Sequence, residues 1–276
     1  MSRAGAGDNP DMESGSGAAS LVRSEMEAEA RRLVDEARAR GITLRLAGGL
    51  AVRLHCAAID FCARDYSDLD AVGLRREDDG VLALFSALGY REDYDVRLAT
   101  QSRHARFARP CAHVEGGRAA HDDDHVDVFF DVIAMDHVVD VRDRLDIEPY
   151  TISVTDILLT KLQIHRFTDK DRQDVLTILS ECEIVADDRP GMVVNPFSVA
   201  ERCAKDWGLF YDVVYNLQSV GEALDDSALG EAGKQDVRRA LTRVVDAIQT
   251  APKPLAWRLR ARVGTRRRWY AVVEER

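Results

Sequence analysis

Two carboxylates, Asp68 and Asp70, stand one residue apart in "DYSDLDAVG" (65–73), a stretch otherwise suited to a buried strand. Side chains i and i+2 of a strand share a face. The two acids therefore point together and Leu69 points away. Like charges a few ångströms apart repel. A divalent cation removes that penalty and takes carboxylate oxygens well; Mg²⁺ commonly keeps waters and substrate phosphates as its other ligands. "HVDVFFD" (125–131) supplies a third acid. With Val126, Val128 and Phe130 facing a core, Asp127 and Asp131 share the other face with His125 and Phe129. Asp127 sits mid-strand, where a structural sheet least needs an acid, and is the first choice; Asp131 is the second.

These acids must be positioned by the elements around them. "LRLAGGLAVRLH" (44–55) runs from an apolar segment through Gly48-Gly49 into a helical pattern. Glycines let a backbone approach a ligand closely, and a helix N-terminus presents free N–H groups to a phosphate. Ser67 can hydrogen-bond a phosphate or orient Asp68, or serve as an ordinary turn serine. Carboxylates holding metals beside a phosphate cradle are the parts of phosphoryl chemistry.

Hydrophobic periodicity extends the reading along the chain. It predicts a helix over 21–40 stopped by Gly41, a strand over 42–47, a helix over 50–58, a strand over 68–74 and a helix over 77–88. Strands follow near 91–98, 103–109, 125–133 and 136–142. Beyond Pro149 the pattern turns helical: 155–167, 170–182, 196–205, 206–221, 233–250 and 252–263. The fold class expected is α+β, a mixed sheet flanked by helices and followed by a C-terminal helical bundle. The divisions expected are a disordered Gly/Ser/Ala-rich tail (1–20), an α/β domain (21–150) and a helical domain with a basic end (151–276).

Ala47-Gly48-Gly49, Ser67-Asp68-Leu69-Asp70 and Asp127, in that order, resemble the signature of the nucleotidyltransferase superfamily, the fold of DNA polymerase β. The downstream "DILLTKLQIHRFTDKDRQDVLTIL" (156–179) looks like the lysine helix and the last acidic motif of bacterial AbiEii-type nucleotidyltransferases, some of them toxins of toxin–antitoxin pairs. The resemblance implies transfer of a nucleoside monophosphate from an NTP such as ATP to an acceptor hydroxyl, with release of pyrophosphate. It implies Mg²⁺ (or Mn²⁺) held by Asp68, Asp70 and Asp127, with Asp127 also the candidate base. Gly48, Gly49 and Ser67 would cradle the triphosphate. Lys161 and Arg166 would contact its phosphates, and Asp171 and Asp174 match the last motif. The acceptor stays open: an RNA end, a protein side chain or a small molecule such as an aminoglycoside. An antitoxin partner, and a non-catalytic module that holds nucleotide or a partner protein, are the alternatives. Eighteen residues separate Gly49 from Asp68, more than the superfamily commonly has.

Several features carry a plainer reading beside the functional one. Lys161 reads equally as a surface lysine whose stem covers apolar neighbours. Asp171 reads as an acid favoured by a helix N-terminus, and His165 as packing. "HDDDH" (121–125), like His113 and Glu115, lies in a polar loop without zinc-site spacing. From Ala251 to Arg276 the chain carries eight Lys and Arg against two Glu, with Trp257, Trp269 and Tyr270 interleaved. Such an end can hold RNA by phosphate contacts and stacking, or dock on the acidic body through Trp257 and Leu259. Net charge −10 over 276 residues argues against non-specific nucleic-acid binding by global charge. Five cysteines without a C-x-x-C pair suggest reduced thiols in a cytoplasmic protein. No apolar run reaches the roughly 18 residues of a membrane span, and the first residues lack a signal-peptide pattern.

Overall fold

The computed structural model describes residues 14–56, 69–108 and 125–271, with side chains from residue 25 onward. Five strands make one mixed sheet: β1 (Leu44–Leu46), β2 (Leu69–Gly73), β3 (Arg91–Asp93), β4 (His104–Ala108) and β5 (His125–Phe130), in the order β1-β2-β5-β4-β3. β2 and β5 run parallel; the other neighbours are antiparallel. One sheet face is apolar because the alternation in β2, β4 and β5 places Leu69, Ala71, Ala105, Phe107, Val126, Val128 and Phe130 on it, all buried. Phe85 of α3 (Asp78–Ala87) stacks on Phe107 at 4.1 Å between centroids. Full burial of such a ring stabilises the fold by about 1.5–3 kcal/mol. Leu33, Val34 and Ala37 of α1 (Ser14–Ala39) join the same buried core.

The opposite face carries the polar side chains. It is approached by α2 (Gly48–His55), which packs against α5 (Val154–Leu162) and α6 (Asp169–Glu181). The helical part continues with α7 (Pro196–Lys205), α8 (Trp207–Ala223), α9 (Glu231–Thr250) and α10 (Leu255–Val263). It is tied to the sheet by backbone as well as side chains: Leu46 N–H donates to the Tyr150 carbonyl at 2.8 Å, and Ile152 N–H to the Leu46 carbonyl at 2.9 Å. The α+β class is as expected. A mixed sheet flanked by helices is followed by a helical assembly, and a single buried core runs through both.

Some boundaries differ from the expectation. Helix α1 begins at Ser14, so residues 14–20 are helical rather than a disordered tail. The strand expected over 91–98 ends at Asp93, and Tyr94–Ala99 forms the helix α4. The cause is local: the Asp93 carboxylate accepts from the backbone N–H of Asp95 and Val96, capping a helix that period-2 alternation disguised. The strand expected over 125–133 breaks at Asp131, whose φ is +64°. A separate ribbon follows, β6 (Val132–Ala134) with β7 (Val138–Asp140). A short parallel pair, β8 (Glu183–Ile184) and β9 (Val193–Val194), falls where no strand was expected. Among the described residues no helix is long and apolar enough to cross a membrane.

Candidate functional site

The turn between β1 and α2 is built around a contact only glycine allows. Gly48 has φ +65°, a left-handed conformation that side-chain-bearing residues rarely adopt. A Cβ placed there would lie 2.0 Å from Oδ2 of Asp70 and 3.0 Å from its Cγ. The Asp70 carboxylate therefore rests directly on the glycine at the start of α2. The backbone holds the two elements together as well: Ala47 N–H donates to the Asp70 carbonyl at 2.8 Å.

The sheet register places Asp127 beside Asp70, as direct partners on parallel β2 and β5. Neighbouring strands lie about 4.8 Å apart, so two of the three predicted acids share one face at close range. Continuing across the sheet, Arg106 of β4 is the partner of Asp127. The Asp127 carboxylate accepts from Arg106 Nε at 2.9 Å and from a second guanidinium nitrogen at 3.2 Å. His104 Nε2 lies 2.6 Å from its Oδ1, and His125 Nε2 lies 3.0 Å from its Oδ2. Burial alone would push the Asp127 carboxyl up, but the bonds from His104, His125 and Arg106 hold it well below the usual carboxylate range. The His104 ring stacks on Phe129 at 4.6 Å, which fixes its plane.

The row Asp70–Asp127–Arg106 with two flanking histidines can do two things. Its carboxylates can take a hard cation, and its guanidinium and imidazoles can neutralise or hydrogen-bond a phosphate. The oxygens of Asp70 have the right chemistry for Mg²⁺. Those of Asp127 are already bonded to Arg106 and both histidines, so Asp127 can join a metal only by giving up part of that set. Among the described residues no group of three or more His, Cys, Asp or Glu is arranged to hold a metal ion. Asp68 and Ser67 lie outside the described residues, as do His113, Glu115 and residues 121–124 of "HDDDH".

The remaining predicted residues fall elsewhere. Asp131 sits past the end of β5, where its Oδ1 accepts from Arg75 N–H at 3.0 Å. Lys161 of α5 points at α6: its Nζ lies 2.9 Å from Asp174 and 3.3 Å from Asp171. Asp171 completes a capping box with Thr168, the helix-start role weighed above. Arg166 is exposed in the α5–α6 connection. His165 is packing: its Nδ1 lies 3.1 Å from Asp212, and its ring stacks on Tyr270 at 3.7 Å. The basic end turns its aromatics inward. Trp257 Nε1 donates to the Cys203 carbonyl at 3.0 Å and Trp269 Nε1 to Asp212 at 3.0 Å, whereas Leu259 stays exposed.

His104 and Arg106 were absent from the expected site. The alternation of "HARFA" marks both as one polar face of a strand, but only the pairing of β4 with β5 shows that this face meets Asp127.

No family model matches the chain, and no curated protein matches its sequence. The solved structures distantly similar to the chain include two of different kinds. The antibiotic-resistance factor ANT(2'')-Ia is 12% identical with a TM-score of 0.34, over 56% of this chain and 83% of that one. A tRNA-processing enzyme in its apo form is 11% identical with a TM-score of 0.33, over 82% of this chain and 52% of that one.

Proposed function

We propose that the chain is a nucleotidyltransferase, moving a nucleoside monophosphate from an NTP to an acceptor hydroxyl with release of pyrophosphate. The observation carrying this is the seating of the Asp70 carboxylate on Gly48 at the start of α2, with Asp127 next to it in register. A triphosphate lying over Gly48 and Gly49 meets the N–H groups of the α2 N-terminus and the acids of the adjoining strands at once. Asp68 and Asp70 would hold Mg²⁺ (or Mn²⁺), which would supply neutralisation of the charge on the phosphates. Arg106 stands where it can stabilise negative charge gathering on the transferred group. Asp127 holds Arg106, His104 and His125 in place, and to serve as the candidate base it must first give up part of that hydrogen-bond set. Lys161, tied to two acids, is assigned to bracing α5 on α6.

A second reading is a nucleotide-binding module without turnover. The neutralisation of Asp127 by Arg106 and of Lys161 by Asp171 and Asp174 favours it. One experiment separates the two. The full chain is incubated with each α-labelled NTP and Mg²⁺ together with RNA, whole protein extract or aminoglycosides, and both pyrophosphate and labelled acceptor are followed. Release of pyrophosphate with label transfer, abolished by Asp70→Asn, is the result expected of the transferase. NTP binding with neither product would assign the module.

A further inference from the structure

Beyond the carboxyl ends of β2 and β5 lies a pocket of about 380 Å³ that the proposed reaction does not use. Arg75, Arg103 and Arg142 line it from three separate segments, over a floor that includes buried Phe130. Asp131 is the carboxylate in the lining, and it is turned to the backbone N–H of Arg75. The lining thus holds three guanidinium groups and one carboxylate already engaged, while Arg75 and Arg142 also pair with Asp78 and Asp140 outside it.

The backbone around the pocket is strained. Among the described residues the non-glycine residues with positive φ are Gln101 (+54°), Ser102 (+55°) and Asp131 (+64°). Gln101 and Asp131 line the pocket, and Ser102 adjoins it. Residues held in this region cost on the order of 1 kcal/mol each and cluster where a binding geometry requires them. Here the turn at 101–102 aims two carbonyls at Arg75, which donates to both Gln101 O and Ser102 O. That guanidinium is thereby fixed before any ligand arrives. Arg103 follows directly, its Nε at 3.4 Å from the Thr100 carbonyl, the far limit of a hydrogen bond. Arg142 pairs with Asp140 in a solvent-exposed contact, and Arg75 with the half-buried Asp78 at a long 3.5 Å. Exposed pairs of this kind are worth about 1 kcal/mol or less and exchange readily for a better anion.

We propose that this pocket binds a phosphate group, free or as a phosphomonoester. Guanidinium forks match the paired oxygens of a phosphate, and three of them suit a dianion. The volume is about a dozen times the roughly 30 Å³ of a water molecule, room for a phosphate with a sugar attached. Asp131 lies four residues beyond Asp127, about 13 Å along the chain at 3.3 Å per residue. One phosphate cannot touch both acids, so the pocket is separate from the Asp70–Asp127 site and does not depend on the function proposed there.

Titration calorimetry on the full chain at low ionic strength tests it with inorganic phosphate, ribose 5-phosphate and succinate. Saturable binding of phosphate or ribose 5-phosphate with Kd at or below about 1 mM is expected. Tighter binding of ribose 5-phosphate would name a phosphomonoester, and equal binding the free anion. Arg103→Gln, at an exposed position, should weaken binding at least tenfold with an unchanged unfolding midpoint, and Asp70→Asn should leave it intact. The proposal is overturned by no saturable binding, by succinate binding as tightly as phosphate, by full binding in an Arg103→Gln/Arg142→Gln variant, or by loss in Asp70→Asn alone.

Discussion

Replacing Gly48 by alanine tests the contact on which the site is built. The substitution acts twice. A left-handed conformation costs an alanine about 1–2 kcal/mol relative to glycine. The new Cβ would also fall 2.0 Å from Asp70 Oδ2 and 3.2 Å from Asp70 Cβ. The carboxylate must swing out of its seat, and an off-rotamer side chain adds about 0.5–1.5 kcal/mol. Together the loss should be about 2–3 kcal/mol by urea unfolding. The two parts separate in a double-mutant cycle. In an Asp70→Ala background the carboxylate is gone, and Gly48→Ala should cost the conformational part, about 1–2 kcal/mol, with only the tight 3.2 Å contact to the remaining Cβ beside it. NTP binding should be lost in the single variant even where the fold survives. A Gly48→Ala protein within about 0.5 kcal/mol of wild type, the ordinary range for an inert surface change, would refute the reasoning. So would an unchanged cost in the Asp70→Ala background.

Three further outcomes follow from other parts of the chain. Lys161→Met removes the cation 2.9 Å from the nearly inaccessible Asp174 and should cost about 3 kcal/mol in urea unfolding, the low end for breaking a buried pair; Lys161→Met/Asp174→Asn should recover most of it. Gly208→Ala places a Cβ 2.4 Å from the Trp269 carbonyl and should push the C-terminal segment off its seat, costing about 1–3 kcal/mol and speeding tryptic cleavage at Arg266–Arg268. The Cys203 thiol is buried and its pKa pushed up to about 12, so about one molecule in 10⁴ is thiolate at pH 8 and labelling should proceed only as fast as unfolding. Because burial favours the neutral thiol, its stabilisation is complete below about pH 9 and is lost as pH rises toward 12.

Much of the site's core was legible because strand periodicity is strict. Once "LDAVG" and "HVDVFF" are strands, Asp70 and Asp127 must each leave the apolar face, and Gly48-Gly49 marks a close approach before its partner is known. What the sequence does not carry is register between distant strands. The pairing of Arg106 with Asp127 spans a 16-residue stretch (109–124), and no local pattern announces it. The same limit applies to Lys161: helical spacing gives its face, but only the return of α6 shows that Asp171 and Asp174 meet it. At 91–98 the error was of another kind. Alternation in "REDYDVRL" fits a strand, and a single side chain, Asp93, tips the segment into a helix.

The most direct measurement is thermal unfolding of wild type and Asp70→Asn with each of the four NTPs, with and without Mg²⁺. Ligand at about 100 times its Kd stabilises a fold by about 2.7 kcal/mol. For a chain of this size, at about 2–4 °C per kcal/mol, that is a rise of roughly 5–10 °C in Tm. The site described here predicts such a rise with at least one NTP, dependent on Mg²⁺ and absent in Asp70→Asn. No rise with any NTP at millimolar concentration, or an equal rise in the variant, would contradict it.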